Sequence, residues 1–263
     1  MPIIDRDLYL ANQEAFKLYF LSGYLDFKDF WDSIDWDNVK CYESNPANVW
    51  KDGVTIGNEP NQVLIKRRML GDFIKANTSN LPLDYFEFGV RSGGSMSVAI
   101  RSNLNPNSKF YGLDTFEGLP DGWVPMHGNK GVIQKSYLPG AMAVERLPIF
   151  NDDRVTLLKG FFQSTLPQLL LNFSDPSNGV GNSLDGRIRL INIDCDTYTG
   201  CLYALTCLHP LLRDGDLIYF DEFSDVLNEF MAFNDYIRSY YLKNKFILIG
   251  RAYDGFIFKY SYI

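Results

Sequence analysis

From Tyr85 onward the chain alternates short apolar runs with longer stretches whose apolar residues recur at helical spacing. The runs are "YFEFGV", "KFYGLDTF", "RVTLLKG", "RIRLINID", "DLIYFDEF", "KFILIG" and "GFIFKY". Between them lie "SMSVAIRSNL", "STLPQLLLNF", "TGCLYALTCLHPLL" and "DVLNEFMAFNDYIRSYYLKN". Short apolar runs predict buried strands and the intervening spacing predicts helices. Parallel neighbours need crossover connections, so the alternation implies an α/β fold, a mostly parallel sheet with helices on both faces. Only "RAYD" separates the last two runs, so they pair antiparallel as a C-terminal hairpin. Pro167 is expected near the first turn of its helix, where a missing N–H costs little.

Upstream the rhythm differs. "LYLANQEAFKLYFLSGYLDFKDFWDSIDWDNV" is rich in aromatics and acids and predicts two or three short helices, broken at Ser22-Gly23. Residues 1–60 therefore read as a helical extension or lid, and residues 61–263 as the main domain, opening with an amphipathic helix in "EPNQVLIKRRMLGDFIKAN". Phe16, Tyr19, Phe20 and Trp31 of the extension are candidates for an acceptor pocket or for a contact in a homo-oligomer.

Composition narrows the class. Twenty-five basic against 32 acidic residues give a formal charge of −7, which disfavours a nucleic-acid partner. No stretch approaches the roughly 18 uncharged apolar residues of a membrane span. Four cysteines and a charged N-terminus predict a cytoplasmic protein that does not contact membranes. Cys195, Cys201 and Cys207, near His209, recur at a spacing that scatters them around a helix, so inert thiols are expected there rather than zinc. Tyr241 and Lys245 match a reductase-like Y-x-x-x-K spacing, but at the end of a late helix.

Ligands of open α/β sheets sit beyond the carboxyl ends of the strands. After the first strand, Gly89, Gly93 and Gly94 clear a turn for close backbone approach. The pattern is neither G-x-G-x-x-G nor a phosphate loop, which argues against a nicotinamide-dependent oxidoreductase. Glu87, just before the glycines, repels a pyrophosphate but suits an ammonium group. Asp114 ends the second strand, where it can hold a ribose or cap the next turn. Together they suit a nucleoside with an amino-acid tail, a description that S-adenosylmethionine meets.

"FEFGVRSGGS", "YGLDTFEGLPDGW", "VTLLKGFFQSTLP", "NIDCDTYTG" and "DLIYFDEF" resemble the successive motifs of class I S-adenosylmethionine-dependent methyltransferases, in particular the macrocin O-methyltransferase (TylF-like) family, from about Asp84 to the C-terminus. The resemblance implies a Rossmann-like, seven-stranded sheet with an antiparallel C-terminal hairpin, and methyl transfer to a small-molecule hydroxyl, often on a sugar of a natural product. It implies that Glu87, Gly89, Ser92 and Ser95 surround the methionine part, that Asp114 holds the ribose, that Gly160 and Phe161 lie near the adenine, and that Val90, Arg91, Thr115 and Phe116 also bind the cofactor. Asp194 borders the same cofactor site. It also implies Mg²⁺ or another hard divalent cation, held by Asp194, Asp221 and Glu222 at the tips of the fourth and fifth strands. Like charges that close need a proton or a cation, and hard oxygen donors suit Mg²⁺.

Two departures from the family pattern stand out: Glu222 replaces an aspartate, and "Tyr198-Thr199-Gly200-Cys201" replaces a Y-E-S-T run. They leave open a non-catalytic, cofactor-binding protein of the same fold. Asp196 is expected one step further out than Asp194. Asp194 or His127, in the long stretch "DGWVPMHGNKGVIQKSY", is expected to take the acceptor's proton.

Overall fold

The computed structural model describes residues 6–42, 62–78, 81–126, 136–174 and 186–261. Eight strands form one sheet: β1 (Lys40–Cys41), β2 (Leu83–Phe88), β3 (Lys109–Asp114), β4 (Val155–Lys159), β5 (Ile188–Ile193), β6 (Leu217–Phe220), β7 (Phe246–Ala252) and β8 (Gly255–Tyr260), in the order β1-β7-β8-β6-β5-β2-β3-β4. β2 to β6 pair in parallel, and β8 runs antiparallel to both β6 and β7. The seven expected strands and their closing hairpin are present. The eighth, β1, is a two-residue strand from the N-terminal extension that adds in parallel to β7.

The period-two alternation of the strands divides the core into two layers. On one face Tyr85, Phe110, Leu190 and Leu217 meet Met69, Leu70, Phe73 and Ile74 of helix α2 (Gln62–Thr78) and Met96 and Ala99 of α3 (Gly94–Ser102). On the other face Phe86, Phe88, Ile191, Ile193 and Phe220 meet α4 (Phe162–Ser174), α5 (Tyr198–Leu208) and α6 (Glu229–Ser239). α1 (Arg6–Asp32) covers the far side of this second layer, where Phe27 packs edge-on to Phe230 at 4.9 Å and Phe30 lies 5.3 Å from Phe223.

α1 corrects the expected break. Its 27 residues run as one helix through Ser22-Gly23. Gly23 serves a close crossing: a Cβ there would lie 2.8 Å from the Val226 carbonyl oxygen and 3.2 Å from Leu227. A glycine that reads as a helix breaker in sequence is here the place where another backbone passes. Pro167 also shifts in meaning. α4 begins at Phe162, so the proline falls in its second turn and forfeits the bond to the Gln163 carbonyl.

Candidate active site

β2 has β3 on one side and β5 on the other, so strand order reverses there, and beyond the carboxyl ends of these strands a cavity of about 650 Å³ opens. Both the position and the size are those of a ligand site in an α/β sheet. The strand tips are pinned edge to edge: Gly89 N–H donates to the Leu113 carbonyl at 3.0 Å, and Asp194 N–H to the Phe88 carbonyl at 2.9 Å. Gly89 has φ +95°, and a Cβ on it would lie 1.7 Å from the Asp194 carbonyl oxygen. Only glycine lets the end of β2 pass that close to the end of β5.

Asp114 closes β3 on the cavity wall. Its Oδ2 accepts from the Arg91 amide at 2.7 Å and its Oδ1 from the Phe116 amide at 2.6 Å. It caps the turn, one of the two expectations for this residue, and each oxygen keeps a lone pair free. The segment after β3 folds over the same opening, contributing Gly118, Leu119, Pro120 and Asp121 to the lining. It is anchored where Trp123 Nε1 donates to Asp225 at 3.0 Å.

The tips of β5 and β6 and the turn between β7 and β8 carry the acids. Asp194, Asp196, Asp221, Glu222 and Asp254 all line the cavity floor, with Lys66 of α2 among them. Lys66 is 6 % exposed. Its ammonium donates to Asp221 Oδ2 at 2.6 Å and to the Asp221 carbonyl at 3.1 Å, and it lies 3.3 Å from Asp254 Oδ1. Burial alone would lower the Lys66 pKa, but Asp221, Asp254 and Glu222 outweigh it and hold the ammonium well above the ordinary lysine range. The other oxygen of Asp221 accepts from Tyr219 Oη at 2.7 Å.

One lysine does not balance the cluster. Burial, reinforced by Asp221 and Asp196, pushes Asp194 well above the carboxylate range, and burial with Asp196 and Asp254 does the same to Glu222. Asp196 is pushed up to about 7, first by burial and then by Asp221 and Asp225. It sits at φ +60°, a left-handed conformation that Asp tolerates better than most residues and that recurs at functional sites.

The family model described as macrocin-O-methyltransferase (TylF) matches residues 66–252, well over half of the 263. The chain belongs to that family. It is an S-adenosylmethionine-dependent O-methyltransferase. Among solved structures it is similar to CalS11, a calicheamicin methyltransferase, with a TM-score of 0.52 and 21% identity over 76% of this chain and 83% of that one. It is also similar to the O-methyltransferase NovP, with a TM-score of 0.47 and 22% identity over 75% and 80%. The likeness to CalS11 extends to the fold. No curated protein matches the sequence.

Of the methyltransferase residues expected at the cofactor, the cavity brings together Gly89, Val90, Arg91, Ser92, Ser95, Asp114, Thr115, Phe161 and Asp194. Three do not reach it. Glu87 is buried one layer below, where its carboxylate accepts from Tyr85 Oη at 2.6 Å; burial outweighs that bond and raises it to about 8. Phe116 turns into the core at 4 % exposed, and Gly160, at φ +145°, only positions Phe161. His127 lies outside the described residues. His209 is taken up by a contact to Tyr236 Oη at 2.7 Å. Cys195 and Cys201 are buried thiols raised well above the ordinary range by burial. Tyr241 is 92 % exposed and away from the cavity.

The expected metal ligands Asp194, Asp221 and Glu222 share the floor, and as hard oxygen donors they have the right chemistry for Mg²⁺. Their arrangement does not fit the ion. Lys66 and Tyr219 engage both Asp221 oxygens, and no group of three or more such side chains is arranged for a metal among the described residues. Sequence reasoning missed Lys66, Arg67 and Asp254. The first two sit in a run, "KRR", that reads as the solvated face of an amphipathic helix, and Asp254 reads as a turn residue. No N-terminal aromatic lines the cavity among the described residues: Trp31 is core at 8 % exposed and Tyr19 is exposed beside Met231. No described helix is long and apolar enough to cross a membrane.

Proposed function

We propose that this enzyme methylates a hydroxyl of a small molecule, a sugar or sugar-bearing natural product, with the ribose of S-adenosylmethionine on Asp114 and its methionine half against the Gly89–Ser95 turn. The acid cluster beside that turn is the observation that carries the reading. Bound S-adenosylmethionine supplies a methyl group already activated on a sulfonium, so the protein's part is alignment and handling of one proton. Asp194 and Asp196 form a mutually repelling pair whose protons belong to the pair, and a pKa near 7 suits Asp196 to accept the acceptor's hydroxyl proton as the new C–O bond forms. The family description and the activity printed for CalS11, TDP-rhamnose 3′-O-methylation, support a sugar acceptor. The exposed Leu18, Leu21 and Leu25, at i, i+3 and i+7 along α1, support a homo-oligomer, to be tested by sedimentation equilibrium.

In this reading Lys66 supplies the positive charge beside the acceptor oxygen. Asp194, Asp221 and Glu222 have the donor chemistry of a Mg²⁺ site but not its arrangement, so dependence on Mg²⁺ is the outcome that would overturn this reading. The test is release of S-adenosylhomocysteine over a panel of sugar and phenol hydroxyl acceptors, with chelator and then with added Mg²⁺. Turnover that survives chelator in the wild type and vanishes in Lys66→Met supports the ammonium. Turnover that chelator abolishes and Mg²⁺ restores supports the ion. Binding of the cofactor with no release over the whole panel would favour a cofactor-binding protein without catalysis.

A further inference from the structure

We propose that Arg67 holds the carboxylate of the cofactor's methionine half, giving the cavity a cationic pole distinct from its acid cluster; the assignment rests on the S-adenosylmethionine reading above. Three cations line the cavity, Lys66, Arg67 and Arg91. Lys66 is committed to Asp221 and Asp254, and Arg91 is exposed on the turn. Arg67 is half-buried and makes no hydrogen bond or ion pair among the described residues; its Nε is sealed from solvent with no partner. Buried donors without partners are rare in folded proteins, and a guanidinium fork is the side chain best matched to a carboxylate.

Arg67 and Gly94 line this cavity and also a second one between α2 and α3. The Arg67 guanidinium occupies the space that a side chain at Gly94 would fill: a Cβ there would lie 2.1 Å from one terminal nitrogen of Arg67 and 2.7 Å from the other. Gly94 opens α3 and lines the same cavity, so the positive end of that helix reinforces the charge of Arg67. Asp194, Asp196 and Asp221 line the same cavity and form no ion pair with Arg67. A zwitterionic amino-acid tail placed between these poles has one favourable direction, with its carboxylate at Arg67 and its ammonium toward the acids. This fixes which way the sulfur between tail and ribose faces, and so where the methyl group is presented.

Two ligands separate this assignment from a general effect on the fold. S-adenosylhomocysteine carries the amino-acid tail; 5′-methylthioadenosine keeps adenosine and thioether but lacks the tail. Each is titrated calorimetrically into the full chain as wild type, Arg67→Gln, Arg67→Lys and Gly94→Ala. Arg67→Gln should weaken S-adenosylhomocysteine by about 10- to 100-fold and leave 5′-methylthioadenosine within about twofold of wild type. Arg67→Lys should recover part of the loss, and Gly94→Ala, whose Cβ displaces the guanidinium, should reproduce it. Unchanged S-adenosylhomocysteine binding in Arg67→Gln overturns the proposal, as does an equal loss for both ligands. A wild type that binds neither ligand overturns the cofactor reading and this proposal with it.

Discussion

At the amino end of β2, Asp84 is fully buried and accepts from Arg187 Nε at 3.0 Å. At the amino end of β6, buried Asp216 accepts from the Arg189 amide at 2.8 Å and the Arg213 amide at 2.8 Å, with the Arg189 guanidinium 3.6 Å away. At the opposite edge of the sheet, Asp194 and Asp196 after β5, Asp221 and Glu222 after β6 and Asp254 in the β7–β8 turn line one cavity, and the buried Lys66 ammonium pairs with two of them, Asp221 and Asp254. One end of the sheet gives each buried acid its own cation or amides; the other concentrates negative charge beyond what its cations balance. Burial raises acids at both ends, and Asp216 goes to about 6 although Arg189 and two amides hold it. At the cavity neighbouring carboxylates add to burial, taking Asp196 to about 7 and Asp194 and Glu222 well above the carboxylate range, which prepares these groups to exchange protons or meet a charged ligand. The sheet is thus stabilised from below and kept reactive above.

Removing the cation at each end should break the comparison most visibly. Lys66→Met and Arg187→Met each strand a buried carboxylate, and each should lower unfolding free energy by about 3–5 kcal/mol in urea denaturation. Their effects on chemistry should part. Lys66→Met should reduce turnover on the active acceptor at least about 100-fold, whereas Arg187→Met should leave turnover per folded molecule unchanged. Asp221→Asn added to Lys66→Met should restore much of the stability, because the stranded charge is removed, without restoring turnover. Equal turnover losses in Lys66→Met and Arg187→Met would erase the distinction between the two ends.

A smaller effect concerns Asp196. Its carboxylate form is the base, and with a pKa near 7 that form is present above pH 7 and lost below it. The pH profile of kcat/KM should therefore rise with pH and level off above about 7. Asp196→Asn should lower kcat/KM by about 100-fold and flatten that limb. A limb that persists in the variant would assign it to another member of the cluster, Asp194 first.

The parallel sheet and its closing hairpin were legible in the sequence because strand periodicity is local and the connection lengths leave few topologies. The tips of β3, β5 and β6 were legible as well, since acids at the end of an apolar run announce themselves. Lys66 and Arg67 were not. Adjacent residues of one helix point about 100° apart, and nothing in "IKRRM" says that the first basic residue enters an acid cluster and the second lines the cavity while Arg68 stays exposed. Gly23 misled for a related reason: a helix crossing and a helix break need the same residue. Glu87 was not legible through period two: it shares a face of β2 with Tyr85, which donates to it, and does not line the cavity.

Glu87 gives the finest test of the contrast, because it is an acid at the reactive end that lies below the cavity and has no cation bonded to it. In the fold it titrates at about 8 against an ordinary 4.5, so between these values the native state binds more protons than the unfolded chain. Stability must then fall as pH rises through that window, by up to about 1.4 kcal/mol per pH unit for this one group. At pH 7 Glu87 is mostly protonated and donates or accepts like an amide. Glu87→Gln should therefore match wild-type stability at pH 7 to within about 1 kcal/mol and exceed it at pH 9. If Glu87→Gln and wild type lose stability in parallel from pH 7 to 9, Glu87 is ionised in the fold, and the negative surplus at the carboxyl ends extends a layer deeper than the cavity floor.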